Sequence, residues 1–466
     1  MGILEKIAAA GVVGCGGAGF PTHVKLKGQF DCLIVNGAEC EPLLRTDRWL
    51  MRNKAAELVE AVLAVKEALH IPRVVFALKH HYEEESAALR SAIRVAGAPI
   101  ELCELESFYP AGDEQTIVYE VTGRVVPPAG LPSEVGCVVD NVATMYAIYE
   151  SMQDVPFTQK YLTVTGEVRS PVVLRVPVGT SFRHCIELAG GALTNRFYTV
   201  AGGPMMGRGV PYEGLDDAVV TKTTSAILVL PEDGYRASHD TVDICHMLNR
   251  ARSACIQCTQ CTQLGPRHLL GHGLQPHRIM RKLAAGTAVG ELLHDSDIRN
   301  AQLCCECGVC EVYACPMGLQ PRKINVMLKK ALRDAGIKYQ RMETHWEPNL
   351  NRELRKVPTE RLASRAGVYK YYNYEIRELL CDTPEQVTIP LNMHIGVPAV
   401  PTVTVGDVVQ KGDVIACPQE GTLGAIIHAS ITGRVRSVGA SITIVSGERN
   451  YGNNWLSGIQ QHCQRH

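Results

Sequence analysis

Two short groups of cysteines are the residues in this sequence whose types and spacing best suit chemistry. The first cysteine group comprises Cys255, Cys258 and Cys261, and the second comprises Cys304, Cys307, Cys310 and Cys315. Three cysteines at successive intervals of three place their thiolates on one tight loop around a single multi-iron core, whereas a zinc ribbon uses two separate pairs. The spacing therefore predicts iron-sulfur clusters rather than zinc.

The two groups together follow the pattern of bacterial two-cluster ferredoxins. In that pattern the last cysteine of each run, the one before proline, ligates the other cluster. Cys315 precedes Pro316, so it is predicted to complete the cluster held by the first group. The spacing from Cys310 to Cys315 is one residue longer than in the ferredoxin pattern.

The reciprocal ligand is missing, because the position before Pro266 is Gly265. The second cluster must therefore take a fourth ligand from elsewhere, leave one iron open, or settle as a three-iron cluster. Cys305 is the nearest substitute and His268 a weaker one. Cys305 is equally well interpreted as a packed or free thiol.

Composition excludes several classes of function. The chain has 466 residues with 47 Lys and Arg against 48 Asp and Glu, so it lacks the basic excess of a nucleic-acid binder. No apolar run approaches the roughly 18 residues that a membrane span needs, and no secretory signal is visible. The expected compartment is cytosolic, where eighteen cysteines do not favour disulfides.

A glycine-rich loop near the start of the chain is a second candidate site. Its glycines are Gly14, Gly16, Gly17 and Gly19. They would let backbone amides approach a phosphate or a flat ring without interference from a Cβ atom. A Rossmann loop requires a preceding strand, whereas residues 3–10 are predicted to form a helix, so a standard dinucleotide loop is disfavoured and a plain turn stays an alternative.

Two further segments support a ligand at this loop. One runs from Val35 to Pro42 at the end of a predicted strand, and the other from Tyr109 to Gln115. Ligands of open α/β sheets lie at the carboxyl ends of the strands. Lys25 could pair with a phosphate, and three polar residues could hydrogen-bond a ribityl chain, a ribose or an isoalloxazine edge: Asn36, Glu39 and Glu41.

Hydrophobic periodicity divides the chain into regions that must position these residues. The expected regions are an α/β layer over 1–155, a small α+β module over 156–235, a helical cysteine-bearing region over 240–338, a linker or strap over 339–385, a small all-β module over 386–447 and a polar tail over 448–466.

The run from Gly14 to Leu26, together with residues 35–42, 109–127 and 140–144, closely resembles the RnfC component of the Rnf electron-transport complex. More distantly it is similar to the FMN- and NADH-binding subunit of respiratory complex I. The resemblance implies FMN on the glycine loop with NADH stacked over it, although Ala38 stands where the complex I subunit has an acidic residue. The residues to which these contacts carry over are Gly14, Gly16, Gly17, Gly19, Phe20, Lys25, Asn36, Glu39, Glu41, Gly112 and Asn141.

The resemblance also implies a fold: an α/β flavin-binding domain, a β-grasp module, a helical two-cluster ferredoxin-like domain and a C-terminal barrel-sandwich β module. In RnfC the barrel-sandwich module precedes the glycine loop, yet here it comes last. This permuted order is similar to the cobalamin reductases of propanediol-utilisation microcompartments. Residues 418–424 offer no lysine for a lipoyl or biotinyl group, so the module is interpreted as structural.

By resemblance, the expected function is transfer of electrons from NADH through FMN and two 4Fe-4S clusters, one of which could be incomplete, to cobalamin. The implied partners are an adenosyltransferase and a microcompartment shell protein, and the implied location is a cytoplasmic bacterial microcompartment. One alternative is an electron-relay or scaffold protein that has lost nicotinamide oxidation. Another is an Rnf-type protein with a different acceptor. No acid-base residue is required, because the redox cofactors carry the chemistry.

Overall fold

A four-stranded parallel sheet forms the first part of the computed structural model, which describes residues 1–286, 288–342 and 344–447. The strands of this region are β1 (Cys32–Gly37), β2 (Arg73–Lys79), β3 (Glu101–Leu105), β4 (Phe108–Tyr109) and β5 (Cys137–Asn141). The order in the sheet is β3-β2-β1-β5. Strands covered on both faces are continuous apolar runs, and Leu33, Ile34 and Val35 are accordingly fully buried.

Helices cover the sheet, as the predicted α/β layer requires. They are α1 (Ile3–Ala9), α2 (Thr22–Lys25), α3 (Thr46–Asn53), α4 (Ala55–Ala68), α5 (Glu83–Ala96), α6 (Glu114–Thr122) and α7 (Val142–Met152). Helix α4 buries Leu58, Val62 and Val65 on one face, which confirms the periodicity found in the sequence. The carboxyl ends of β1 and β5 lie side by side, with Asn36 opposite Asn141.

A mixed six-stranded sheet follows, with helix α8 (Phe182–Leu188) packed on it. Its strands from this region are β6 (Gln159–Gly166), β7 (Val172–Pro177), β8 (Phe197–Ala201), β9 (Arg208–Val210) and β10 (Ala226–Pro231). The order β7-β6-β10-β8-β9 leaves β9 at one edge, and a strand from later in the chain joins β7 at the other.

The cysteine-bearing region is helical. Its helices are α9 (Tyr235–Asp240), α10 (Ile244–Ala254), α11 (Gln260–Gln263), α12 (Pro266–Leu269), α13 (Pro276–Ala284), α14 (Val289–Leu292), α15 (Ser296–Arg299) and α16 (Pro321–Asp334). A π-helical turn at Val309–Tyr313 carries Cys310. Helix α16 begins with Pro321 and is followed by Gly336 at φ +68°, as its sequence predicts.

Residues 344–385, here called the strap, pack across both preceding sheets. The strap contains β11 (Val357–Pro358), α17 (Thr359–Arg365) and β12 (Leu379–Cys381). Strand β11 pairs with β4, and β12 adds to β7 as the sixth strand of the mixed sheet. Trp49 on α3 donates from Nε1 to the carbonyl of Arg377 at 3.1 Å. Of the two sequence interpretations, linker or strap, these contacts describe a strap.

Two small antiparallel sheets make up the last described region. Their strands are β13 (Gln386–Pro390), β14 (Val400–Pro401), β15 (Val408–Val409), β16 (Val414–Cys417), β17 (Ile427–His428), β18 (Gly433–Val438) and β19 (Ser441–Val445). The Ile395 amide donates to the carbonyl of Gly19 at 2.9 Å, so this module touches the glycine loop. The predicted polar tail, 448–466, lies outside the described residues. No helix of the described ranges is long and apolar enough to cross a bilayer.

Candidate flavin and iron-sulfur sites

Backbone hydrogen bonds close the glycine loop into a turn, and the outer face of this turn is not covered by other residues. The amide of Gly14 donates to the carbonyl of Phe20 at 2.9 Å, and the amide of Gly19 donates to the carbonyl of Gly14 at 3.1 Å. Gly17 adopts φ +109°, which side-chain-bearing residues rarely adopt, and a Cβ atom placed there would meet nothing within 4 Å. The loop therefore offers backbone atoms to a ligand without obstruction.

Four of the predicted flavin residues meet at the ends of β1 and β5. Asn36 donates from Nδ2 to the carbonyl of Gly112 at 2.9 Å. Gly16 lies against Asn141, whose Cβ would be 3.5 Å from a Cβ at the glycine. Asn141 in turn donates from Nδ2 to Oδ2 of Asp47 at 2.6 Å. The structure thus brings the loop and three distant segments to one sheet edge.

Lys25 reaches the same edge but is held by two acids. Its Nζ lies 2.8 Å from Oε1 of Glu114 and 3.7 Å from Oδ1 of Asp140. Burial would lower the pKa of Lys25, but the two carboxylates outweigh it and raise that pKa. Burial raises the pKa of Asp140 to about 6. The phosphate contact of Lys25 stays a prediction, since both acids already neutralise the ammonium group.

The two predicted glutamates behave differently. Glu39 accepts from the Asp47 amide through Oε1 at 2.9 Å, while its buried Oε2 has no hydrogen-bond partner. Glu41 instead accepts from the amides of Met205 and Met206 at 2.9 and 2.8 Å, which ties it to the β-grasp sheet. Burial raises the pKa of both carboxyls. The unpartnered oxygen of Glu39 and the open face at Gly17 fit a polar, flat ligand such as FMN.

A buried junction joins this sheet edge to the second cysteine group. Tyr109 donates from its hydroxyl to the carbonyl of Cys307 at 2.8 Å and lies 3.3 Å from Oε1 of Glu41. Arg267 forms a two-pronged ion pair with Asp113 at 2.6 and 2.9 Å. Burial opposes ionisation of Asp113, but the guanidinium outweighs it and holds the pKa of that carboxyl below its usual value.

The first cysteine group and Cys315 line one cavity, as the ferredoxin pattern predicts. The four thiols of this cavity are those of Cys255, Cys258, Cys261 and Cys315. Burial, and next to it the neighbouring Cys315 thiol, raise the pKa of Cys261 to about 12. Four cysteines around one cavity suit a 4Fe-4S cluster, although the ligation itself stays a prediction.

The second group is more deeply buried and lacks such a set. Cys304, Cys307 and Cys310 are each at most 9% exposed. The Cys305 thiol lies beside that of Cys307. A hydrogen bond between the two thiols lowers the pKa of Cys305, although burial opposes it. Cys305 and Cys307 share a core with Leu264, which precedes Gly265.

The two substitutes for the missing thiolate therefore differ in position. Cys305 packs against the same core as Cys307 and Leu264. His268 lines a separate cavity with Asn349 and Arg355, and burial lowers its pKa.

Family models match successive parts of the chain. Residues 7–150 match the Nuo51 FMN-binding domain, 161–209 the SLBB domain, 254–320 the 4Fe-4S dicluster domain and 372–450 the RnfC barrel sandwich hybrid domain. The predicted preference for iron-sulfur over zinc is confirmed, as is the order of modules with the barrel-sandwich module last.

One relative decides the family. Cobalamin reductase PduS of Salmonella typhimurium is 42% identical over 450 residues, which cover 96% of each chain. This chain belongs to the PduS cobalamin reductase family. The RnfC-type component of the Na+-translocating ferredoxin:NAD+ oxidoreductase complex of Acetobacterium woodii is 32% identical over 57% of this chain and 58% of its own. A solved NAD+-reducing NiFe-hydrogenase in the H2-reduced state is 21% identical over 74% of this chain and 68% of its own, with a TM-score of 0.47.

Three residues of this PduS-family chain escaped the sequence reasoning. Asp47 links Asn141 to Glu39 but follows no recognisable motif. Asp113 follows Gly112 within a segment already singled out, yet the sequence names no partner for it. That partner, Arg267, is 154 residues away, and its one available signal is that it follows Gly265 and Pro266.

Proposed function

We propose that this chain is an NADH-dependent flavo-iron-sulfur reductase that passes electrons through FMN and 4Fe-4S clusters to cobalamin. The junction of Tyr109 with Glu41 and Cys307 carries the proposal, because it joins the predicted flavin edge to the second cysteine group. The family models for FMN and two clusters and the name of the Salmonella relative support it.

The proposed contacts divide between backbone and side chains. Bound FMN and the clusters would supply the chemistry that couples the two-electron oxidation of NADH to one-electron transfers. Gly16 and Gly17 would present their backbone to the ring, with NADH over the same loop beside Phe20. Glu39 would accept a hydrogen bond through its unpartnered Oε2. The pair of Asp113 and Arg267, whose side chains are 13% and 10% exposed, links the segment at the flavin edge to the cysteine-bearing region.

An anaerobic NADH titration of reconstituted protein, followed by visible absorbance, tests the proposal. We expect NADH to bleach the flavin without an added mediator, and hydroxocobalamin added afterwards to restore the absorbance while cob(II)alamin forms. A bleached flavin that hydroxocobalamin leaves unchanged would contradict cobalamin as acceptor. A flavin-free preparation would instead favour the relay or scaffold alternative.

The glycine loop has its own matched test. Gly17→Val should lose FMN and NADH-driven bleaching, because its side chain would occupy the open face of the loop. Gly406→Val is the control, since Gly406 also has a positive φ, +99°, and nothing within 4 Å of a Cβ, but lies in the barrel-sandwich module. Normal flavin content in the Gly17→Val protein would contradict the assignment of the loop.

The partners and location implied by the family resemblance are part of the same proposal. The protein would deliver reduced cobalamin to an adenosyltransferase and would associate with a shell protein inside a bacterial microcompartment. Co-purification of the tagged chain with microcompartment shells from cells that assemble them is the expected result. Complete recovery of the chain outside the shell fraction would contradict this location.

A further inference from the structure

The segment that carries the first cysteine group differs in charge from the chain as a whole. Residues 244–290 contain six Arg and Lys and no Asp or Glu, although the full chain has 47 basic and 48 acidic residues. Residues 312–333, which carry Cys315, contain five Arg and Lys and again no acid. Both segments that supply the predicted first cluster are therefore basic, in a chain whose charges otherwise balance.

Exposed arginines stand beside the cavity that the first cysteine group lines. Arg250, on α10, donates from Nη2 to the carbonyl of Met317 at 3.0 Å, and Met317 lines the cavity. Arg281, on α13, follows another lining residue, His277, by four positions, so both belong to one face of that helix. Arg250 and Arg281 are both exposed. Cationic groups from two helices therefore border the cavity.

The acids of the structure neutralise only part of this charge. Three of the six basic residues of 244–290 form ion pairs: Arg267 with Asp113, Arg278 with Asp297, and Lys282 with Asp295 and Asp297. For Arg250, Arg252 and Arg281 the described part of the chain supplies no carboxylate partner. Exposed cations without acidic neighbours attract anionic groups through solvent until salt screens them. This side of the molecule therefore favours an acidic partner.

An apolar centre accompanies the cationic groups. Ile256, within the first cysteine group, is 61% exposed, and Pro316 is exposed as well. Protein interfaces combine an apolar centre with a polar rim and are enriched in arginine. We call the surface formed by Ile256, Pro316, Arg250 and Arg281 the basic face. Its composition is that of a contact surface for another protein.

The position of the basic face suits the exchange of electrons between proteins. The cysteines of the second group are each at most 9% exposed, whereas Cys258 of the first group is exposed. Transfer of one electron forms no bond and needs only a close approach of two redox centres. Redox proteins accordingly meet through small, transient interfaces, below roughly 1,200 Å2. An exposed cysteine group within a basic surface meets both needs.

We propose that the basic face is the docking site of an acidic one-electron carrier protein, which receives electrons through the first cysteine group. The inference rests on the proposed function and adds a second outlet beside cobalamin. Each NADH would be oxidised to NAD+ with release of one proton, and two carrier molecules would each gain one electron. A basic carrier should be disfavoured, because like charges would face each other across the interface.

Surface plasmon resonance of the flavin- and iron-loaded protein over an immobilised acidic rubredoxin, under anaerobic conditions, tests the docking. Rubredoxin is the probe because it is a small protein whose one-electron iron centre bleaches on reduction. At about 0.01 M salt, Arg250→Glu should weaken binding on the order of fivefold, and its combination with Arg281→Glu on the order of tenfold or more. At about 1 M salt the Debye length falls to roughly 3 Å, so most of the difference should disappear.

Arg434→Glu is the matched control. Arg434 is exposed and donates to a backbone carbonyl, that of Gly406, as Arg250 does to that of Met317, but it lies in the barrel-sandwich module. This variant should bind rubredoxin as the wild type does. Flavin and iron content verify that each variant is loaded. NADH-driven bleaching of rubredoxin is the second measurement, and it should slow in the order in which binding weakens.

The outcomes separate the two proposals. If Arg250→Glu binds rubredoxin as tightly as the wild type at low salt, or if Arg434→Glu weakens binding as much, the basic face is not the docking site. If the wild type fails to bind rubredoxin while NADH still bleaches its flavin and reduces hydroxocobalamin, the carrier proposal fails and the reductase proposal stands. If NADH leaves the flavin unbleached, the proposed function fails and the second outlet fails with it.

Discussion

The two cysteine groups differ both in how many ferredoxin-type cysteine ligands they have and in how deeply they are buried. The first group and Cys315 line a cavity near the surface, where Cys258 is exposed and Ile256 is 61% exposed. The second group is buried beside the flavin edge, yet its ferredoxin-type fourth thiolate is replaced by Gly265. The second group therefore has the more protected position but the less complete set of ferredoxin-type ligands.

The largest expected effect is the loss of cobalamin reduction when a cysteine of the second group is removed, compared with the same change in the first group. If electrons leave the flavin edge through the second group alone, Cys310→Ser should slow cobalamin reduction by roughly 100-fold or more, about 3 kcal/mol of activation free energy. Cys258→Ser should slow it by about threefold or less, because the outer cluster would be a side branch. The measurement is anaerobic NADH-driven formation of cob(II)alamin.

Iron content and NADH-driven flavin bleaching are the controls for both serine variants. Each should lose iron from one cluster and keep a flavin that NADH bleaches, which shows that the flavin domain is intact. Equal losses of cobalamin reduction in the two variants would mean that electrons also pass through the outer cluster, and the contrast between the groups would not extend to their roles.

A smaller effect is expected at the junction that distinguishes the second group. Arg267→Met leaves the buried carboxylate of Asp113 without its partner, which should cost about 3–5 kcal/mol of unfolding free energy. Arg73→Met breaks a comparable ion pair with Glu101, but both side chains are largely exposed, so about 0–1 kcal/mol is expected. Thermal unfolding of the two loaded variants compares them, and equal decreases in Tm would contradict a buried structural role for Arg267.

The sequence predicted the parts of these sites that are local in the chain. The cysteine spacing and the glycine run each span only a few residues on one loop, so both can be recognised from the sequence alone. The contacts between Tyr109 and Cys307, 198 residues apart, and between Asp113 and Arg267 depend on how whole domains pack. The strap was ambiguous for the same reason: its sequence is polar overall, and only packing shows that Ile376 is 2% exposed.

The missing thiolate gives a prediction about the second cluster itself. Because the Cys305 thiol lies beside that of Cys307, we expect it to serve as the fourth ligand. Cys305→Ser should then yield a three-iron signal in electron paramagnetic resonance after brief air exposure, while the wild type shows none. A thiol added by Gly265→Cys in that background should suppress the signal, although its Cβ would lie 3.1 Å from the carbonyl of Thr262.

Two results would contradict this assignment of Cys305. A three-iron signal already present in air-exposed wild type would indicate an open site, and Gly265→Cys alone should then remove it. Two equally oxygen-resistant clusters in both the wild type and Cys305→Ser would mean that neither an open site nor Cys305 accounts for the ligation.

The smallest expected effect concerns Asp47, on the flavin side of the same junction. Burial and the adjacent Glu39 raise its folded-state pKa to about 7, above the ~3.9 of an unfolded aspartate. Between those values the folded protein binds more protons than the unfolded chain, so the free energy of unfolding decreases as pH rises from about 4 to 7.

Asp47→Asn can still accept from Nδ2 of Asn141 and carries no charge. Its Tm should therefore exceed that of the wild type by more at pH 8 than at pH 5, with a gain on the order of 1 kcal/mol or more at pH 8. The same difference in Tm at both pH values would mean that Asp47 is ionised throughout and that its ionisation does not lower the free energy of unfolding in this range.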